Sequence, residues 1–393
     1  MTSTFYPAQG VGGDALHVKW LAEALVQRGH QVHVLYSQDA HTVQNKGFPA
    51  GSDFNGVNVH SLKTVIERTT YSAYLFGSEP SVNKKFKYMV KQINPDVVHH
   101  HNISLLGYGI LKKRAKYVNL YTAHDYWLIC QGNKLLLSNS TTCKERYCFT
   151  CALRQKKVPQ LWRKSSSFLK ALKTLDLCIS PCQYLNNKLI KLCVNSIVLP
   201  NFVPPPSPSP IRPPYGDFFL FAGVLEKHKG IMQLVRLWVT LKDKTPSKLL
   251  IVGQGSLYAE LERYITANGL NGKVVLLGWV DRPLLHSLLQ YSKALIMPSI
   301  WPENCPLIAL EAISYGTPVL ANNLGGLPEI INQIDEDLVF SSWDQLSTKI
   351  LNFNAARYQR SKLHSYYKNS YSPEAYVERY LCLLEAACNS SNN

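Results

Sequence analysis

The chain has 393 residues, 46% of them apolar, and a net charge of +16 from 42 Lys and Arg against 26 Asp and Glu. That apolar share excludes wholesale disorder, and the length suits two domains. No run approaches the roughly 18 apolar residues of a membrane-spanning helix, and no basic-then-apolar leader opens the sequence, so a cytoplasmic protein is expected.

The first half alternates apolar strands with helical patterns. A strand is wanted before Phe5-Tyr6-Pro7, yet only Met1–Thr4 precede it. In a Rossmann-like half the first strand is central, and losing it leaves backbone groups unpaired inside a sheet. The expectation is that the natural start lies several codons upstream, or that the chain is a fragment. Gly12-Gly13 would let a backbone approach a ligand closely; a plain loop is the alternative. A helix follows from about Ala15 to Arg28, ending at Gly29. Gln31–Tyr36, Asp96–His100, Val118–Thr122 and Asp176–Ser180 read as strands. Alternation of this kind predicts an α/β fold with a doubly wound parallel sheet. His124, at the end of a strand, lies where such sheets bind ligands; a structural histidine is the other reading.

The segment from about 128 to 155 interrupts the alternation and holds Cys130, Cys143, Cys148 and Cys151. Four thiolates suffice for a structural zinc, whereas ten cysteines in a cytoplasmic chain argue against disulfides. From Arg154 to Thr174 run seven basic residues and no acid, interleaved with Leu161, Trp162, Phe168, Leu169 and Leu172. Such a helix could lie on an anionic membrane, with Lys84, Lys85, Lys87 and Lys91 adding to the same charge; an ordinary amphipathic surface helix is the alternative. No nucleic-acid motif is recognisable, so no such partner is expected.

Pro200–Pro214 contains eight prolines and reads as an extended linker. A second alternating half follows, with strands at Phe218–Phe221, Lys248–Val252, Val274–Leu277 and Ala294–Met297. The expected division is an N-terminal domain over 1–200, a linker over 201–215, a second domain over 216–370 and a last helix over 371–393. Two Rossmann-like halves would face each other across a cleft.

The most informative stretch is Ser299–Gly316. Glu303 sits in a Pro-bounded loop and Glu311 inside a helix. Asn304 is expected as the cap and Pro306 in the first turn, with Gly316-Thr317-Pro318 as the stop. At about 1.5 Å per residue Glu311 then lies roughly 10 Å past the helix start. Two carboxylates so far apart cannot share one reacting atom. They can hold the ends of a long ligand whose anionic middle lies over the helix N-terminus, and a nucleotide-sugar is such a ligand. A solvated loop carboxylate and a surface ion pair are the plain alternatives. Asp335-Glu336-Asp337 reads as a solvated loop.

Phe5-Tyr6-Pro7 with Gly12-Gly13, Ala123–Trp127, Leu199–Pro204, Lys229-Gly230, Gly253-Gln254-Gly255 and Glu303 with Glu311, in that order, resemble glycosyltransferase family 4, the retaining GT-B enzymes. The resemblance covers nearly the whole chain and implies an acceptor side on 1–200, a nucleotide-sugar donor domain on 216–370 and a last helix that returns to the first domain. It implies a hexosyltransferase-type enzyme that moves a sugar from a nucleotide-sugar donor to a glycan or lipid-linked acceptor, with no required metal. It implies catalytic roles for Lys229 on the departing diphosphate and for Glu303 and His124 at the donor sugar. Glu311 would hold the ribose, and Gly12, Gly13, Gly253, Gly255, Val280, Asn304, Cys305, Pro306 and Leu307 would complete the donor site. Where the family generally places an Arg, this chain has Val224, with Lys227 or His228 as substitutes. A sugar-nucleotide epimerase of the same fold and an inactive glycan- or lipid-binding relative are the alternative functions.

Overall fold

A computed structural model describes residues 1–6, 12–39, 54–62, 69–113, 115–137, 141–143, 148–192, 194–207 and 211–392. Pro7, Pro208, Pro210 and parts of the 128–155 segment lie outside the described residues. The chain divides into two compact units. One takes Met1–Asn139, Cys143–Asn201 and Tyr376–Asn393; the other takes Phe202–Ala375 with Ser140–Thr142.

Among the described residues the first unit is built on a seven-stranded sheet. Its strands are β1 (Thr2–Ser3), β2 (His33–Ser37), β3 (Asn58–Leu62), β4 (Val97–His100), β5 (Val118–Thr122), β6 (Leu177–Ser180) and β7 (Ser196–Val198). Their order is β3-β2-β1-β4-β5-β6-β7, parallel throughout. All five residues of β5 are buried, and such unalternating burial is the mark of a strand covered on both faces. β1 has two residues, yet Thr2 pairs with both Leu35 and His100. The central strand expected to be missing is therefore present and satisfied over that length.

The second unit holds β8 (Phe218–Ala222), β9 (Lys248–Val252), β10 (Val274–Gly278), β11 (Leu295–Met297), β12 (Val319–Asn322) and β13 (Val339–Phe340). Their order is β10-β9-β8-β11-β12-β13, again all parallel. In each sheet the order reverses beside the first strand of the unit. Ligands of doubly wound sheets bind at that reversal, outside the carboxyl ends of the strands. The two crevices therefore lie after β1 and β4, and after β8 and β11.

The described part of the proline-rich segment forms neither helix nor strand, but it is bonded onto the second unit. Val203 donates to the Tyr371 carbonyl at 3.1 Å and accepts from the Tyr367 hydroxyl at 3.0 Å. Ser207 exchanges two bonds with the Tyr315 hydroxyl. The last helix, Pro373–Asn392, seats Tyr376 and Tyr380 in the first unit, where both are buried.

Candidate active site

At the reversal in the second sheet, Lys229 and Glu303 meet. The Lys229 ammonium donates to Glu303 Oε1 at 2.6 Å, and the Ser299 hydroxyl donates to the same oxygen at 2.7 Å. Backbone geometry forces the meeting. Lys227–Lys229 form one 3-10 turn after β8 that closes on Gly230 with φ of +70°, and a Cβ there would lie 2.1 Å from the Pro298 carbonyl oxygen. Only glycine lets the two loops touch. Glu303 is fixed from the other side, its carbonyl accepting from Gly326 N–H at 2.6 Å. Gly325 lies so close that its Cβ would be 2.4 Å from that carbonyl oxygen. The Lys229 ammonium also sits 5.2 Å from the centre of the Trp301 ring, within cation–π range.

Burial by itself would raise the Glu303 pKa. The Lys229 charge and the hydrogen bonds from Lys229, Ser299 and Trp301 outweigh it and hold the carboxyl below its ordinary value. Glu311 behaves in the opposite way. Burial raises its pKa and prevails over Arg282, whose Nη2 lies 2.6 Å from Glu311 Oε1. Sequence reasoning missed Arg282. Its signal was Asp281-Arg282-Pro283, where the Asp281 side chain caps the helix Arg282–Tyr291 and sets Arg282 in its first turn.

The helix after Glu303 starts later than expected. It spans Leu307–Ser314 with Pro306 at its N-cap position and no side-chain cap. Asn304 is buried in the preceding loop and is not the cap, and Pro306 is not inside the first turn. Glu311 therefore lies roughly 6 Å along the axis, not 10 Å, at about 1.5 Å per residue. The stop is where expected, with Gly316 left-handed at φ of +72°. Cys305 is buried, and Leu307 opens the helix with N–H groups that helix geometry leaves without internal partners. Gly253 and Gly255 are places of close backbone packing. Their Cβ atoms would stand 1.9 Å from Gly223 O and 2.5 Å from Leu225 O. Val280, partly buried, lies between β10 and the helix that carries Arg282. Val224 is 51% exposed, and Lys227 beside it is exposed too. His228 packs edge-on against Trp301, ring centres 5.6 Å apart.

In the first unit, Gly12 is the N-cap of the helix Gly13–Gln27 and Gly13 opens it. Asp14 in the first turn accepts from Asn102 Nδ2 at 2.6 Å, which ties the helix to the loop after β4. His124, just past β5, faces His101, just past β4, with 3.0 Å between His124 Nε2 and His101 Nδ1. His17 of the helix meets His124 edge-on. Burial lowers the His124 pKa to about 4 against a raising pull from Asp14, so the ring is neutral near pH 7. Burial lifts neighbouring Asp125 to about 7.

The four cysteines do not gather evenly. Cys148 and Cys151 share the helix Cys148–Arg154, and the charges of Cys130 and Cys148 add to the burial that raises the Cys151 thiol. Gln155 Nε2 donates to Cys151 Sγ at 3.3 Å. Cys143 instead lies near Lys188. Among the described residues the one group of three or more His, Cys, Asp or Glu whose ligand atoms lie within 4.8 Å of one another is His17, His101 and His124. The basic helix expected over Arg154–Thr174 is not one helix. It is the end of Cys148–Arg154, a 3-10 turn Leu161–Lys164 and a helix Ser166–Leu172. Pro159 cannot donate to a helical ladder, and the Ser165 hydroxyl caps the last piece. Trp162, Phe168 and Leu172 point into the core, while Val158, Leu161 and Leu169 stay exposed.

Two family models cover most of the chain: Glycosyltransferase Family 4 over residues 11–205 and Glycosyl transferases group 1 over residues 210–371. The chain belongs to glycosyltransferase family 4. An uncharacterized glycosyltransferase of Methanocaldococcus jannaschii is 25% identical over 355 residues, 84% of this chain and 82% of that protein. Among solved structures, sucrose-phosphate synthase of Thermosynechococcus elongatus matches with a TM-score of 0.69 at 17% identity, over 97% of this chain and 94% of that one. HepE of Anabaena, solved with UDP and glucose, matches with a TM-score of 0.64 at 16% identity, over 98% of this chain and 100% of that one. The fold of this glycosyltransferase is GT-B, with parallel sheets of seven and six strands.

The Lys229–Glu303 pair is largely buried, with side chains 19% and 5% exposed. Removing the cation strands a buried carboxylate, at a cost of about 3–5 kcal/mol. Because the folded pKa of Glu303 is lowered, its contribution is complete above the ordinary value of 4.5 and fades as pH falls through the folded value. Denaturant unfolding of Lys229→Met should therefore show a large deficit at pH 7 that narrows on acidification, first as the variant's Glu303, whose pKa burial alone raises, takes a proton, and further below about 4.5 as the parent's contribution fades. A deficit that ignores pH would mean the lysine acts through packing alone.

Proposed function

We propose that this glycosyltransferase moves a hexosyl group from a nucleotide-sugar donor to a glycan or lipid-linked acceptor with retention at the anomeric carbon. The observation that carries the reading is the Lys229–Glu303 pair at the reversal of the second sheet, next to the N-terminus of the helix Leu307–Ser314. A diphosphate fits there because a cation and free helical N–H groups converge on it. That HepE was solved with UDP and glucose supports a nucleotide-sugar as the donor.

The chemistry follows from what the pair can exchange. An arriving diphosphate takes the Lys229 ammonium, and the freed Glu303 carboxylate accepts from hydroxyls of the donor sugar. Near the helix start, Glu311 accepts from the ribose in place of Arg282, whose side chain is 47% exposed. As the bond from the anomeric carbon to the diphosphate breaks, Lys229 and the helix N-terminus stabilise the growing charge. The acceptor oxygen bonds to the same face of that carbon, and its proton goes to the leaving phosphate oxygen. The role of His124 at the donor sugar rests on the family resemblance, and its neutral ring suits a hydrogen bond to a hydroxyl. No step requires a metal.

A membrane-bound acceptor is favoured by the surface of the first unit. Phe76, Val158 and Leu161 are 68%, 58% and 67% exposed. They are neighbours, since Trp162 Nε1 donates to the Tyr74 carbonyl and the Tyr74 hydroxyl to that of Val158. Arg154, Lys156, Lys157 and Lys164 stand exposed near them. Exposed aromatic and aliphatic tips among cations match an anionic lipid surface, at about 1 kcal/mol per cation.

A screen of UDP-, GDP- and ADP-sugars with acceptor glycans should find one donor consumed. Lys229→Ala and Glu303→Ala should each lower turnover by about 10²–10³. Near-normal transfer by either variant, once its folding is verified, removes that residue from the mechanism. Val224→Arg restores the cation that the resemblance leads one to expect, and it should raise turnover about tenfold or more. The protein should sediment with phosphatidylglycerol vesicles and not with pure phosphatidylcholine, and high salt or Phe76→Glu with Leu161→Glu should release it. Equal binding to both kinds of vesicle would rule out the electrostatic attachment.

A further inference from the structure

The crevice of the first sheet holds a group of side chains that the transfer chemistry does not use as a group. His17 comes from the helix Gly13–Gln27, His101 from the end of β4 and His124 from the end of β5. One ring atom from each lies within 4.8 Å of the other two. His101 Nδ1 and His124 Nε2 already stand 3.0 Å apart. The His17 ring meets His124 edge-on, centres 5.0 Å apart, and His101 at 6.0 Å. His17 and His101 have no exposed surface. His101 Nε2 is buried and makes no hydrogen bond, so it can carry the ring proton when Nδ1 is engaged.

The surroundings hold the rings in place. His99 packs against His101 at 4.0 Å between ring centres and is itself bonded to the Thr122 hydroxyl at 2.7 Å and the Tyr380 hydroxyl at 2.9 Å. The Tyr376 hydroxyl approaches His17 Nε2 at 3.4 Å. Asp14, one helical turn before His17, adds a negative charge that His124 feels. Outer partners of this kind orient imidazole ligands in metal sites.

We propose that His17, His101 and His124 form a binding site for one divalent transition-metal ion of the zinc, cobalt or nickel class. Neutral imidazole is the ligand these ions favour, and three such ligands leave a fourth position for water. Metal–nitrogen bonds of about 2.0–2.1 Å set the nitrogens of a tetrahedral site roughly 3.3 Å apart. The His101–His124 pair has nearly that spacing, so the main adjustment is for His17 to draw in by at most about 1.5 Å. The proton now shared between His101 and His124 moves to a far nitrogen, for which His101 Nε2 is available, and both rings stay neutral. Ligation would also remove His124 from the donor sugar, so a filled site should be inactive. That consequence alone rests on the transferase reading.

The test uses the full chain, freed of metal with a chelator and titrated with Co2+ without any sugar present. One equivalent should bind, with visible d–d absorption and no near-ultraviolet thiolate charge-transfer band. X-ray absorption at cobalt should show a nitrogen and oxygen shell with imidazole scattering. His17→Asn and His101→Asn should each weaken binding by about 100-fold or more. Zn2+ should raise the melting temperature of the parent protein and not of the two variants. No saturable binding, or sulfur in the cobalt shell, would overturn the site and in the latter case assign the ion to the cysteines. The X-ray absorption result stands even if a variant fails to fold. Loss of transfer on adding Zn2+, reversed by chelator, supports the inhibitory consequence; full activity with the ion bound overturns it.

Discussion

The contact on which the geometry of the second unit's crevice depends is the touch between the backbones after β8 and β11. Gly230 lies against the Pro298 carbonyl, and that approach delivers the Lys229 ammonium to Glu303. Gly325 and Gly326 hold the same loop from behind. A buried ion pair adds little net stability when its desolvation is counted, and losing one partner is far costlier than never having had the pair. Lys229 and Glu303 each satisfy the other's charge inside the loop.

The two units use one device twice. Each sheet reverses its strand order beside its first strand, and each reversal gathers side chains from the following loops and helix. In the second unit these are a cation, two carboxylates and a helix start. In the first they are neutral imidazoles crowded behind an acidic helix start, with two tyrosines of the last helix closing the cluster. The chemistry at the two crevices differs because the residues do, while the strand order that brings them together is the same.

Much of this was legible in the chain. Continuous apolar runs such as Val118–Thr122 and Lys248–Val252 are strands over those same residues. β3, β7 and β13 escaped because edge strands are short or polar, and β12 because it follows directly on a helix stop. The start of the helix after Glu303 was misjudged because Asn304 looks like a cap, yet its side chain is buried in the loop. Basic residues interleaved with Trp and Leu make that segment look like one helix, and Pro159 and the Ser165 cap divide it.

By itself the sequence determined the α/β class, the two alternating halves and the identity of Lys229, Glu303, Glu311 and His124 as residues of interest. The class, the halves, Glu303 and Glu311 follow from local rules of period, turn chemistry and spacing, whereas Lys229 and the role of His124 come from the resemblance to the family. Only the tertiary structure decided that Glu303 is held by Lys229, that Glu311 is held by Arg282, and that His17, His101 and His124 stand together. Those partners are separated by 74, 29 and up to 107 positions along the chain. No local preference encodes such distances. The order of the parallel strands in each sheet brings these residues within reach of one another.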